Sequence, residues 1–216
     1  MAHLELDTSN GGSPSWKPLP VLLTTPLSLF GDAAPELWLI VSRTGGLLAL
    51  AFAFRLASRV AGRTAGGLAA VLLLLSAGWV RGHLHGYLEP SVVALLLGAV
   101  DLHASQRHRA ALMLLFLAGL GRPEVWPCFG LYALWWARGT RRGERILASL
   151  LVIATPVLWF GGDLWGSGDA LHGSETARAV SHDDGRSGVE TLMLAFSKLE
   201  VAMIVTAIAG VRRRAA

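Results

Sequence analysis

Three short segments of this chain combine residue types suited to chemistry on an anionic substrate at a surface. In Ser15–Trp16–Lys17–Pro18–Leu19–Pro20, a proline-stiffened loop carries a lysine whose ammonium can hold an anion such as a lipid phosphate. The competing reading is a juxtamembrane lysine paired to lipid headgroups, with Trp16 in the interfacial aromatic belt. Gly121–Arg122–Pro123–Glu124 sets opposite charges two residues apart in a stiff turn. Ionisable groups at membrane depth are costly and mark functional sites by default; mutual neutralisation that pins the turn is the structural alternative. The third segment, 81–90, brings His83, His85 and Glu89, types that suit Zn²⁺, so a divalent cation is the one cofactor considered. Their spacing fits no closed zinc motif, and no metal is assigned. Glu89, just before Pro90, also suits a helix start, where a carboxylate meets the positive end of the dipole. A polar stretch over 161–190 adds Asp163, Asp169, His172, Glu175, His182, Asp183 and Asp184, which read as solvent-facing loop groups. No glycine-rich phosphate loop, cysteine cluster, hydrolase elbow or nucleic-acid module is present.

The elements that must position these residues are apolar. Over 216 residues the chain is 53% hydrophobic and 16% charged, with a mean hydropathy of +0.50, which excludes an ordinary soluble domain. A sequence pI near 10.0 suggests nucleic acid, but the basic residues sit in short clusters beside apolar stretches, where bilayer orientation explains them. The single cysteine, Cys128, excludes an internal disulfide framework. Seven apolar segments are expected, over about 36–57, 65–80, 87–103, 110–120, 124–137, 146–160 and 191–211. They lack strand alternation, so the predicted class is all-α, a polytopic transmembrane helical bundle. Prolines exclude a long regular helix near the N-terminus, leaving a short interfacial helix over 21–30. Small residues at Gly45, Gly46, Gly66, Gly67 and Gly98 are expected to let helices approach closely.

Charge sorts onto alternating loops. Arg55, Arg59, Arg63, Arg107, Arg109, Arg138, Arg141, Arg142, Arg145 and Arg212–Arg214 fall on one set, which holds only Asp101 and Glu144 as carboxylates. Most other carboxylates and histidines fall on the opposite set. Lys/Arg-rich loops stay cytoplasmic, so the N-terminus is expected outside and the C-terminus inside. The predicted layout is an external loop with its interfacial helix over 1–35 and transmembrane helices one to six over 36–160, with 110–137 a broken pair. An external loop over 161–190 follows, then a last helix with a basic cytoplasmic tail over 191–216. Segments four and five are short against the roughly 20 residues of a full crossing, so the Arg122 turn is expected below the external surface. No basic, apolar leader opens the chain, so no signal peptide is read.

The order of these elements resembles the integral-membrane glycosyltransferases of the GT-C fold. It is most similar to the polyprenyl-phosphate-sugar-dependent group of protein mannosyltransferases and aminoarabinose transferases. Trp16–Lys17–Pro18–Leu19–Pro20, followed by Phe30–Gly31 and a span bearing Arg43, is similar to that group's external Lys-Pro-Pro-Leu segment; Leu19 replaces the second proline. Leu120–Gly121–Arg122–Pro123–Glu124 is similar to the Arg-Pro-Glu segment of related bacterial enzymes.

The resemblance implies an enzyme of the cell (plasma or inner) membrane that moves a sugar from a polyprenyl-phosphate donor to an acceptor at the external face. Its partners would be membrane lipid and that lipid-linked sugar, not nucleic acid. Lys17 and Arg122 would face the donor phosphate, with Trp16, Glu89, Glu124 and His85 shaping the pocket and His83 and His85 near any metal. In the family the catalytic aspartate follows a first transmembrane helix upstream of the lysine segment. No such helix precedes Lys17 here, and Asp7 is the candidate within the chain. The chain therefore reads as truncated, with the family's acid expected upstream. Two other readings stay open: a transporter or lipid carrier using Arg122–Glu124 on its path, and an inactive membrane scaffold.

Overall fold

A computed structural model describes residues 17–76 and 78–173. Among the described residues all regular structure is helical. The elements are α1 (Pro18–Leu27), α2 (Ala34–Ala61), α3 (Arg63–Leu74), α4 (Trp79–Leu84), α5 (Glu89–Ala104), α6 (His108–Gly121), α7 (Trp126–Arg138) and α8 (Arg142–Ser167). Tight 3₁₀ turns at Ser28–Ala33 and Pro123–Val125 join α1 to α2 and α6 to α7.

Helix α1 starts at Pro18, earlier than expected, because proline in a first turn costs no hydrogen bond. Gly62, with φ of +87°, reverses the chain between α2 and α3. Two boundaries differ from the sequence reading. The second segment ends at Leu74 and is followed by the short α4 instead of running on to residue 80. Helix α8 continues to Ser167, so the first turns of the expected 161–190 loop are helix. The remainder of that loop from 174, the last expected helix and the basic tail lie outside the described residues.

The core centres on α6. Ala111, Leu112, Leu115, Ala118 and Leu120 are buried against Val92 and Ala99 of α5, Phe129, Ala133 and Trp136 of α7, Ala148 of α8, and Leu19 of α1. Small residues carry the close approaches, as expected. A β-carbon on Gly45 or Gly46 would land on Ser91 or on the His83 ring, and one on Gly66 would meet Ser58 and Phe54. Gly98 faces Phe52 and Leu114. Gly67 makes no such approach among the described residues: nothing lies within 4 Å of a β-carbon there, because one residue of helix rotates it about 100° from Gly66.

Large apolar side chains point the other way. Leu29, Leu47, Val60, Leu131, Ile153 and Trp165 are among many that stay exposed. Two stretches, 18–61 and α8, are long and apolar enough to cross a membrane, each with a mean hydropathy of 1.7. Only 17% and 22% of their apolar windows is buried, so neither is the core helix of the fold. Of the seven apolar segments expected, the fourth and fifth are short as expected, and the second and third are also shorter than a full crossing. The helices α3, α5, α6 and α7 have 12, 16, 14 and 13 residues, or about 18–24 Å at 1.5 Å per residue, against a hydrocarbon core of roughly 30 Å.

Candidate functional site

The C-terminal end of α6 organises the site. The carbonyl of Gly119 would normally accept from the residue four positions on, but that residue is Pro123, which has no N–H. Two indoles replace it: Trp126 Nε1 and Trp159 Nε1 each donate to Gly119 O at 3.0 Å. With the helix ended there, Arg122 becomes extended (φ −147°, ψ 121°) and its guanidinium leaves the α6 axis. The turn Pro123–Val125 then starts α7, which folds back along α6. Tyr132 of α7 reaches the N-terminal end of α6, with its hydroxyl 3.4 Å from His108 Nδ1. The pair over 110–137 is therefore a helical hairpin.

Arg122 does not pair chiefly with Glu124. Its Nη2 donates to Glu89 Oε1 at close range, whereas Glu124 Oε1 lies 3.8 Å from Nη1. Glu89 is held in place from α2: Trp38 Nε1 donates to Gly86 O at 2.9 Å and Ser42 Oγ to Tyr87 O at 2.7 Å, fixing the loop into α5. Glu89 also opens α5, so it serves the helix dipole as well as Arg122. Lys17 stands at the same end. It is the N-cap residue of α1, and the next residues, Pro18 and Leu19, are buried. Leu19 and Leu88 both crowd Gly121, the residue before Arg122. The structure thus gathers the starts of α1 and α5 and the end of α6, with Lys17, Glu89, Arg122 and Glu124 on them. The side chains of Arg122, Glu89 and Glu124 are 32%, 48% and 71% exposed, so a ligand can reach the cluster.

Comparison with protein-family models, curated proteins and solved structures finds no match to this chain. The site must be read from its own chemistry. A guanidinium shared by two carboxylates, with a lysine at the same end, can exchange an internal pair for an external phosphate.

The histidines do not join it as ligands. His83 Nδ1 lies 3.2 Å from Trp79 O and His85 Nδ1 2.9 Å from Arg81 O, each turned back on its own helical turn. The His83 ring fills the notch left by Gly46. Among the described residues no three His, Cys, Asp or Glu side chains gather as a metal site; the His83 ring packs on α2, while His85 and Glu89 are exposed. Trp16 and Asp7 lie outside the described residues. Arg43 is exposed on α2.

Two carboxylates are placed differently from the sequence reading: Asp163, expected in a solvent-facing loop, is buried on helix α8, and Asp101, noted only for its charge, is buried in an ion-pair cluster. Asp163, 6% exposed, lies one turn beyond Trp159 on α8 and therefore at the Arg122 end; its Oδ2 accepts from Gly173 N at 3.1 Å. At the opposite end, Asp101 is buried between Arg59 Nη1 (2.7 Å) and Arg55 Nε (3.1 Å). The signal for Asp101 was present: two arginines four apart share a helix face, opposite one of only two carboxylates on the basic side.

Proposed function

We propose that this chain is a multi-pass membrane glycosyltransferase of the GT-C type, or part of one, working at the external face of a cell membrane. Its donor would be a polyprenyl-phosphate sugar. The observation that carries the reading is the approach of the start of α1, which follows Lys17, to the end of α6, which precedes Arg122, at the end opposite Arg55, Arg59, Arg109 and Arg142. The charges of Lys17 and Arg122 suit the phosphate of a departing lipid. In the proposed step the acceptor hydroxyl oxygen bonds to the anomeric carbon and the bond from that carbon to the phosphate oxygen breaks. The electron pair leaves with the lipid phosphate, and a carboxylate takes the acceptor proton. Arg122 and Lys17 stabilise the leaving phosphate, and Glu89 positions Arg122. Glu124 lines the acceptor side, and the proton-accepting carboxylate is assigned to the region preceding Lys17, where Asp7 is the candidate.

A transporter built on an interrupted helix has less support, because α6 and α7 reverse direction at Arg122 and do not continue one another. The test is release of polyprenyl phosphate from polyprenyl-phosphate mannose and polyprenyl-phosphate aminoarabinose by proteoliposomes of the purified full chain. Turnover of either donor is expected to fall about 10²-fold in Arg122→Ala, the usual loss of one preorganised charge-stabilising donor. No turnover of either donor by the unaltered protein, or equal turnover by the variant, would remove this assignment.

A further inference from the structure

At the other end of the molecule, α8 carries a shallow groove of about 400 Å³ lined by Arg142, Arg145, Ile146, Ser149, Leu150 and Ile153. These positions recur at three- and four-residue steps, so they form one stripe along one face of the helix. Both arginines stand at the start of the stripe, and everything beyond them except Ser149 is apolar. Ile146, Leu150 and Ile153 are 51%, 59% and 60% exposed, so no other part of the described chain covers the stripe. The nearby carboxylate, Glu144, is turned to Arg109 at 3.6 Å. Among the described residues neither Arg142 nor Arg145 has a carboxylate partner.

We infer that this stripe seats one anionic phospholipid of the inner leaflet, its phosphate on Arg142 and Arg145 and an acyl chain along Ile146, Leu150 and Ile153. The inference rests on the membrane reading above but not on sugar transfer. Length is compatible with the occupant: from Ile146 to Ile153 the helix rises about 10 Å, within the roughly 15 Å depth of one hydrocarbon leaflet. Charge selects it. Two guanidinium groups with no carboxylate partner among the described residues attract an anionic headgroup, whereas a second copy of the chain docking this face against itself would set arginine against arginine. Ser149 adds a hydroxyl near the headgroup boundary, where it can donate to an ester carbonyl.

The test uses the purified full chain in nanodiscs of mixed phosphatidylglycerol and phosphatidylcholine, with retained lipid counted by native mass spectrometry. The unaltered protein is expected to retain phosphatidylglycerol preferentially. An Arg142→Ala/Arg145→Ala double variant is expected to lose roughly thirtyfold in that preference, the attraction of two basic residues at an anionic surface. The Arg142→Lys/Arg145→Lys pair keeps the charge and most of the preference. Excess inorganic phosphate leaves the lipid bound if the acyl contacts matter, and displaces it if the arginines hold only a free anion, which overturns the inference. Equal retention of both lipids, or an unchanged preference in the alanine pair, also overturns it. Carbonate extraction of the same protein separates the failures. Release from membranes removes the membrane reading and the lipid seat together, while firm retention without lipid preference removes the seat alone.

Discussion

The two ends of the bundle solve the same electrostatic problem in opposite ways. At one end two arginines, Arg55 and Arg59, enclose a single aspartate that is 4% exposed. At the other, two carboxylates share a single arginine, and all three side chains remain accessible. Burying a charge is tolerable only when partners replace its water, and the buried Asp101 carboxylate meets that condition through two arginines that themselves stay 57% and 38% exposed. The Arg122 cluster is open, so its pairs compete with solvent and contribute little to stability. Ion pairs of the first kind lock α2 to α5. Pairs of the second kind can be exchanged for a ligand.

The sharpest way to break this comparison is to remove the lock. Substituting Arg55→Ala and Arg59→Ala together leaves Asp101 buried without a counter-ion. Stability in detergent is expected to fall by about 3–5 kcal/mol, the usual cost of orphaning a buried charge. A loss under 1 kcal/mol in thermal or denaturant unfolding would mean that Asp101 is solvated and the two ends are alike. The matching change at the open end is Arg122→Ala. Its effect on unfolding is expected to stay within about 1 kcal/mol, as for exposed ion pairs, even as transfer falls. A stability loss equal to that of the arginine pair would make Arg122 a structural lock as well.

Much of the open end was legible in the sequence. Gly121, Arg122 and Pro123 announced a helix stop, and charge sorting put Lys17 and Arg122 on one side. What the sequence hid was partnership. Glu124 is the near neighbour of Arg122 in the chain, yet Glu89, thirty-three residues away, is the closer one in space, because Trp38 and Ser42 of α2 reach across to fix its loop. Residue type alone also could not tell that His83 packs against Gly46; a histidine between two helices looks the same in sequence as one waiting for a metal. The small-residue pattern gave the helix contacts at Gly45, Gly46, Gly66 and Gly98, but a run of two glycines cannot say which of the pair faces inward, and Gly67 faces out. Helix length was the least legible property. The end of α8 at Ser167 is set by Gly168, in the left-handed region at φ of +78°, and not by the fall in hydropathy after residue 160.

The proposed site requires Lys17 and Arg122 to face one compartment and the arginines at the start of α8 to face the other. Cys128 is the one cysteine and is exposed, so a Cys128→Ser background is blank for thiol chemistry. Single cysteines introduced at Lys17, Glu124, Arg109 and Arg142 can then be labelled with a membrane-impermeant maleimide on intact cells. With that arrangement, positions 17 and 124 are expected to react from outside, while 109 and 142 react only after the membrane is opened. Reaction of 17 and 124 from opposite sides, or of all four from the same side, would contradict it.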